Sequence, residues 1–315
     1  MLNTIATTLF PVAFVIFLGY CAGRSGAFRV ADRAMLTRLI LIWLLPPLLL
    51  AGILKTPRAD LMNYRIPLLF VIGILVPYLV VLLGCRFLFR YDLPTSTLRA
   101  SLLAFPDLVF MGVPILGQLF GPSSLFPILI ANLVPSLVIV PLTTVLLELG
   151  GREDRRAGAR VFGQTLIKAV REPRVWVPFL GIVMVLFNVP IPQFAIASLN
   201  LIGSATVGIS LFVAGLIIAG ENIQLTKAVA LGVLVKNLAQ PVTMLAAAIA
   251  LGVTGVVARE AVLLAALPSA VITTMFAEEH HVLESESSTT ILGTRILGFA
   301  TIPVMIALTH YFMAS

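Results

Sequence analysis

Charge is what this sequence has least of. Only 11% of its 315 residues are Asp, Glu, Lys or Arg, under half of the roughly 25% found in an average soluble domain. A soluble chain so poor in charge would leave its surface uncovered. With 59% hydrophobic residues and a mean hydropathy of +1.08, its solvent reads as mostly lipid. That excludes a cytosolic enzyme, a DNA-binding protein and a secreted disulfide scaffold. Cysteine is scarcer still: Cys21 and Cys85 lie near the ends of separate apolar runs and match no metal or redox spacing. Gly-x-Ser-x-Gly, HExxH, phosphate-loop and dinucleotide glycine patterns are all missing, so neither catalysis nor an ATP-driven pump nor an organic cofactor is expected. An intramembrane hydrolase would need paired reactive groups, and among the acids only Asp107 falls clearly inside an apolar run. Residues 1–23 hold no charge, so the basic start of a secretory signal is lacking and the first apolar run reads as a retained membrane helix.

What is there is a series of apolar runs. A helix needs about 20 apolar residues to cross a bilayer. The first half supplies runs near 4–22, 34–54, 66–89, 98–119 and 124–148. One long polar stretch, 149–174, then carries Arg152, Arg155, Arg156, Arg160, Lys168, Arg171 and Arg174. The uncharged stretch 175–220 is divided by Asn188-Val-Pro190-Ile-Pro192 into runs near 175–188 and 196–219. Further runs lie near 228–251, 260–277 and 286–312, predicting an all-α polytopic membrane protein of ten spans. The net charge of +7 assigns orientation rather than a nucleic-acid partner, because basic residues collect in cytoplasmic loops. With the N-terminus outside, the inner loops hold Arg24, Arg29, Arg33, Arg38, Arg86, Arg90, Arg99, Lys227 and the seven of the central stretch. The outer loops hold only Lys55, Arg58, Arg65 and Arg259. Both termini are therefore expected outside and the central loop in the cytoplasm.

The two halves repeat. Leu102-Leu-Ala-Phe-Pro106-Asp-Leu-Val109 reads like Leu264-Ala-Ala-Leu-Pro268-Ser-Ala-Val271, and Pro141 and Pro77 have counterparts in Pro303 and Pro241 at nearly the same offset. Five spans on either side of one cytoplasmic loop place the halves in opposite orientation. The expected organisation is 1–148 as a first five-helix repeat, 149–174 as a basic loop and 175–315 as a second, inverted repeat. Such symmetry is a transporter signature, because rocking of one part against another exposes a midplane site to each side in turn. Pro106 and Pro268 fall mid-span, where each removes a helix hydrogen bond and clashes with the preceding turn. In lipid, loosened backbone is tolerated only where protein or a watery cavity satisfies it. A pair of broken helices offers N-termini to an anion and carbonyls to a cation.

Ionisable residues deep in a bilayer are functional candidates by default. Asp107 adjoins the first break and reads either as a proton or cation carrier or as a protonated acid tying down frayed backbone. Lys236 lies about 12 Å into its span at 1.5 Å per residue. It is placed to neutralise Asp107, to meet a substrate carboxylate, or to reach a water pocket. Arg295 is set similarly deep in the last span, where its guanidinium suits a small di-acid or braces Glu278 or Glu284. Ser269, Thr273 and Thr274 after the second proline, with Asn132 in the fifth span, line a cavity or bond their own helices; Gln118 and Asn237 rank lower. Glu278-Glu279-His280-His281, with Glu284 and Glu286, has no diagnostic metal spacing and reads as a surface loop. His310, Trp43 and Trp176 read as structural or interface-anchoring.

Several segments in this order resemble the auxin efflux carrier family, which includes plant auxin carriers and bacterial malonate carriers. They are Leu36-Thr-Arg-Leu-Ile-Leu-Ile-Trp-Leu-Leu-Pro46, Phe105-Pro-Asp-Leu-Val-Phe-Met-Gly-Val-Pro114, Leu211-Phe-Val-Ala-Gly215, Lys236-Asn-Leu-Ala-Gln-Pro241 and Leu263-Leu-Ala-Ala-Leu-Pro268. The resemblance implies ten helices in two inverted repeats, in the manner of sodium/proton antiporters and bile-acid symporters. The fourth and ninth helices would cross at Pro106 and Pro268, with a scaffold domain and an elevator-like transport domain. It further implies a homodimer in a bacterial inner membrane and an organic-anion substrate, malonate or a related dicarboxylate. Symport with sodium or a proton is implied too; Asp107 and Lys236 are assigned to the coupling site by their charge within apolar runs rather than by the resemblance. The alternatives are a uniporter or exporter of a monocarboxylic weak acid, and a cation/proton antiporter built on Asp107 and Lys236. The chain departs from the family at Asp107, where Asn is common, at Arg295, where small hydroxyl residues are usual, and near Gly208, where a proline is usual.

Overall fold

The computed structural model describes residues 2–150, 155–220 and 224–312, and every helix or strand element among them is a helix. Arg152 lies outside the described residues, as do the side chains of Arg155, Arg156 and His310. Six helices are long and apolar enough to cross a bilayer: Ala31–Ile53, Arg65–Leu88, Leu108–Gly150, Gln193–Ile218, Lys227–Leu251 and Glu284–Thr309. Two shorter apolar helices are Phe10–Arg24 and Pro173–Leu186.

The differences from ten continuous spans have local causes. The expected fourth span stops at Ala104, at the end of the helix Leu93–Ala104, and helical structure resumes at Leu108. The expected ninth stops at Ala265 and resumes as Ile272–His280. Pro106 and Pro268 sit in these gaps, and each proline also disfavours helical torsions at the residue before it. The apolar stretch Leu108–Gly150 is too long for one crossing. It turns at Gly121, whose φ of 73° opens the turn Gly121–Ser124 before the helix Leu125–Val134; glycine adopts that torsion at no steric cost. The basic stretch expected as a loop is largely a helix, Arg155–Arg171, since its Arg, Ala, Lys and Leu residues are strong helix formers.

The chain divides into two compact units. One comprises Met1–Tyr64, Leu108–Leu129 and Arg171–Glu221. In it the helix Leu2–Arg24 runs against Gln193–Ile218, which also packs on Leu45–Ile53. Hydrophobicity cannot drive helices together in lipid, so close backbone approach between small residues must. At Gly215 an added Cβ would strike the carbonyl oxygen of Ile16, and at Gly19 that of Phe212.

The other unit comprises Arg65–Asp107, Ile130–Val170 and Asn222–Ser315. Its helix Arg65–Leu83 packs on Leu93–Ala104 and on Gln240–Leu251, while Lys227–Leu234 lies along Glu284–Phe312. Leu69, Phe70, Ile74, Tyr78 and Leu98 are fully buried there. This unit also holds a buried polar chain, Tyr78 Oη to Thr143 Oγ1 at 3.1 Å and Thr143 Oγ1 to Ser101 Oγ at 2.8 Å. Pro106, Asp107, Asn132, Lys236, Pro268, Ser269, Thr273 and Arg295 all belong to it, whereas Gln118 belongs to the other.

Gly215→Leu is expected to cost about 1–3 kcal/mol or more by overpacking, read as a lower thermal-unfolding midpoint in detergent. Gly208→Ala, in the same helix with open space around its Cβ, is expected to leave that midpoint unchanged or raised; equal losses from both would show that close approach is not what Gly215 supplies.

Candidate functional site

The site begins with two gaps in helical backbone. A proline deletes a donor from its own helix and strands the carbonyl one turn back, and buried orphans of that kind must be paired. Here each gap pairs with the other. The Asp107 amide donates to the Pro268 carbonyl at 2.8 Å, and the Ala270 amide donates to the Phe105 carbonyl at 2.9 Å. Pro106 and Ser269 thus face one another in an isolated antiparallel bridge. Phe105 has extended torsions, φ −97° and ψ 102°, as a residue preceding proline should. The expected crossing at Pro106 and Pro268 is therefore a two-rung β-ladder enclosed by helices.

Side chains from three other segments close around this ladder. Ser269 Oγ donates to the Leu102 carbonyl at 2.5 Å, and its amide donates to Thr294 Oγ1 at 3.2 Å. Asn237 Nδ2 donates to the Thr294 carbonyl at 3.1 Å. Gln240 Nε2 donates to the carbonyl of Ala104, the last residue of its half-helix, at 2.8 Å. Lys236 Nζ donates to the carbonyl of Ala265, the last residue of the other half-helix, at 3.2 Å, and also to Gln240 Oε1. Lys236 and Gln240 are four residues apart across the widened turn Val235–Ala239, and Pro241 follows at once. Such π-turns relieve a helix at a proline and recur at functional sites.

Asp107 and Arg295 form an ion pair, Arg295 Nη2 to Asp107 Oδ2 at 3.0 Å, with both side chains almost wholly enclosed. Two of the three positions at which the chain departs from the pattern it resembles are thus partners. Nε and Nη1 of the same guanidinium are buried without a hydrogen-bond partner among the described residues. Lys236 is fully buried as well. Two basic side chains and one acidic side chain therefore share the crossing, leaving an excess of positive charge and unused N–H donors. That arrangement is suited to an anion.

The remaining candidates separate by their bonds. Thr273 Oγ1 and Thr274 Oγ1 return to their own backbone, at the Ala270 and Val271 carbonyls, both at 2.7 Å. Asn132 is buried with its Nδ2 unpartnered and makes no hydrogen bond to the crossing residues among the described contacts. Glu278 and His280 lie on the helix Ile272–His280 rather than in a loop, His281 Nδ1 meets Glu284 Oε1 at 2.9 Å, and Glu286 accepts from Arg99 at 2.9 Å. A separate cavity of about 560 Å³ is lined by Cys85, Tyr91, Arg99, Leu102, Lys227 and Glu286 among others, and it excludes Asp107, Lys236 and Arg295. Sequence reasoning passed over Gln240 and Thr294. The spacing of Gln240 from Lys236 was the available signal for the first; for Thr294 there was none.

Removing one member of a buried ion pair leaves the other uncompensated, at a cost of about 3–5 kcal/mol. Arg295→Met is therefore expected to lower the unfolding midpoint sharply, and the double variant Asp107→Asn, Arg295→Met to recover part of the loss. Simple additivity in this double-mutant cycle would mean that the pair is not coupled.

The chain matches the membrane transport protein family over residues 4–306. It is 26% identical over 310 residues to the uncharacterized transporter YfdV of Escherichia coli K12, covering 97% of this chain and 98% of that protein. It is 23% identical over 354 residues to the probable auxin efflux carrier component 5c of rice, covering 94% of each. To the auxin efflux carrier component 3 of Arabidopsis thaliana it is 29% identical over 157 residues, 46% of this chain and 23% of that one. A nearly full-length match, apolar helices of membrane length and a pair of proline breaks carrying buried charge agree with one another: the chain belongs to the membrane transport protein family, that of the auxin efflux carriers.

Proposed function

We propose that the protein is a secondary carrier that moves a small organic anion, malonate or a related dicarboxylate, across a bacterial inner membrane by alternating access. The observation that carries this reading is the Arg295 guanidinium. It is buried at the crossing, spends one N–H on Asp107, and has Nε and Nη1 unpartnered. A guanidinium grips a carboxylate through parallel hydrogen bonds, and Lys236 adds a second positive charge for a second carboxylate.

In this reading the chain crosses the bilayer ten times as two inverted five-helix repeats, 1–148 and 175–315, with both termini outside. The paired breaks at matching points of the two halves support it. The unit that contains Met1–Tyr64 and Arg171–Glu221 supplies the scaffold from the first, second, sixth and seventh spans. The unit with the crossing acts as the transport domain, moving elevator-fashion, and two chains associate as a homodimer. Asp107 is the coupling group for a proton or sodium ion, with Lys236 and Arg295 balancing its charge; Ser269 and Thr273 shape the site, and Asn132 offers a further amide donor. A second reading, transport of a monocarboxylic weak acid without coupling, is favoured by the relatives named as auxin efflux carriers.

Labelled malonate offered to proteoliposomes, with proton and sodium gradients imposed separately, tests both. Gradient-driven accumulation by wild type, reduced to equilibration by Asp107→Asn, is the expected result. Flux of monocarboxylates alone, indifferent to Asp107→Asn, would install the second reading. Arg295→Lys, which keeps the charge and loses the fork, is expected to weaken malonate affinity about tenfold, the equivalent of 1.4 kcal/mol, in a competition assay; an unchanged affinity would remove Arg295 from the site.

A further inference from the structure

A helix leaves its last carbonyls without intrahelical donors, and its C-terminal end carries a partial negative charge. Two such ends, at Ala104 and Ala265, meet at the crossing. In broken-helix carriers, carbonyls of this kind are the ligands that hold a coupling cation. Here protein donors already occupy them. The Ala104 carbonyl accepts from Gln240 and the Ala265 carbonyl accepts from Lys236, whose ammonium also meets Gln240 Oε1. One ammonium group therefore serves both helix ends, that at Ala265 directly and that at Ala104 through a single amide.

Most other hard oxygens nearby are likewise engaged, Asn237 Oδ1 alone among the named side chains being buried without a partner among the described residues. The Leu102 carbonyl accepts from Ser269, the Thr294 carbonyl accepts from Asn237, and the Asp107 carboxylate accepts from Arg295. Lys236 is fully buried, so its ammonium cannot be read as a side chain snorkelling to the surface. A sodium ion entering this space would be a third cation facing one carboxylate, in surroundings where like charges repel far more strongly than in water.

We infer that Lys236 is a tethered cation standing where a coupling sodium ion would otherwise sit, so that the carrier works without sodium. The inference rests on the carrier reading and narrows it. Coupling, where present, falls to a proton, and Asp107 is the carboxylate at hand to bear it.

The test pairs a measurement that needs no transport with one that does. Thermal unfolding of the purified protein is followed in equimolar sodium, potassium or choline chloride. Wild type is expected to melt at the same midpoint in all three. Lys236→Ala should melt lower, with sodium recovering part of the loss and choline none, while Lys236→Arg should stay indifferent to the salt. In proteoliposomes, wild-type malonate uptake should change less than about twofold when potassium replaces sodium. Uptake by Lys236→Ala should fall about tenfold or more in potassium, a loss of 1.4 kcal/mol or greater, and recover in part with sodium. Selective stabilisation of wild type by sodium, or wild-type uptake that collapses without it, overturns the inference, and either result is read on wild type alone should the alanine variant not fold. An alanine variant that responds equally to all three salts also overturns it, leaving Lys236 a helix cap and nothing more. Absence of any organic-acid flux, with a wild-type midpoint indifferent to sodium, overturns the carrier reading instead.

Discussion

Two hydrogen bonds, Asp107 amide to Pro268 carbonyl and Ala270 amide to Phe105 carbonyl, hold the rest of the site in place. Backbone that leaves a helix inside an apolar protein has few ways to satisfy its polar groups, and an isolated break would be costly. Two breaks set side by side satisfy each other as a scrap of antiparallel sheet. Because the bonds are reciprocal, neither break is stable at this position without the other. The pairing places four half-helix ends within one small volume, and the charges follow. Asp107 arrives beside the start of its second half-helix, and Lys236 and Gln240 are drawn to the negative ends of the first halves.

The polar network around the crossing is dense because burial there allows little else. Ser269, Thr294, Asn237, Gln240 and Lys236 each make a bond to a backbone carbonyl or to one another. A buried network of this kind specifies geometry strongly when it is satisfied. The groups left over among the described residues carry the more information: two guanidinium nitrogens of Arg295, the amide oxygen of Asn237 and the amide nitrogen of Asn132. The Arg295 guanidinium thus keeps donors to spare beside the carboxylate it meets, at a position where stability alone would favour an apolar replacement.

The two compact units obey the packing rule of helices in lipid through different contacts. In the unit with the first helix, Gly19 and Gly215 let backbone meet backbone. In the unit with the crossing, Gly73 faces Met244 and Gly293 faces Val233, so that glycine receives a side chain from the neighbouring helix. The first kind of contact tolerates no added atom, because a carbonyl cannot move aside. The second has a flexible neighbour able to yield.

By itself the sequence determined the class of solvent and the family, and it marked Pro106 and Pro268 as breaks through their repeated setting in the two halves. Proline alone does not decide a break, since Pro11, Pro77, Pro178 and Pro303 lie inside helices. Asp107, Lys236 and Arg295 could be singled out as well, since a charge within an apolar run is costly wherever the chain goes. Partnership was not legible. The sequence set Lys236 to neutralise Asp107 and Arg295 to meet a di-acid or brace Glu278 or Glu284, and only tertiary structure gave Asp107 to Arg295 and Lys236 to the helix end at Ala265. Gln240 and Thr294 acquired their places the same way, being unremarkable in a sequence and defined by what lies across from them. Such pairing depends on distances between residues 25 to 188 positions apart, and no local pattern encodes those. Helix boundaries in the basic stretch 149–174 were misjudged for the converse reason. Its charge marked it as polar, and polarity alone does not distinguish a loop from the solvent-facing helix Arg155–Arg171.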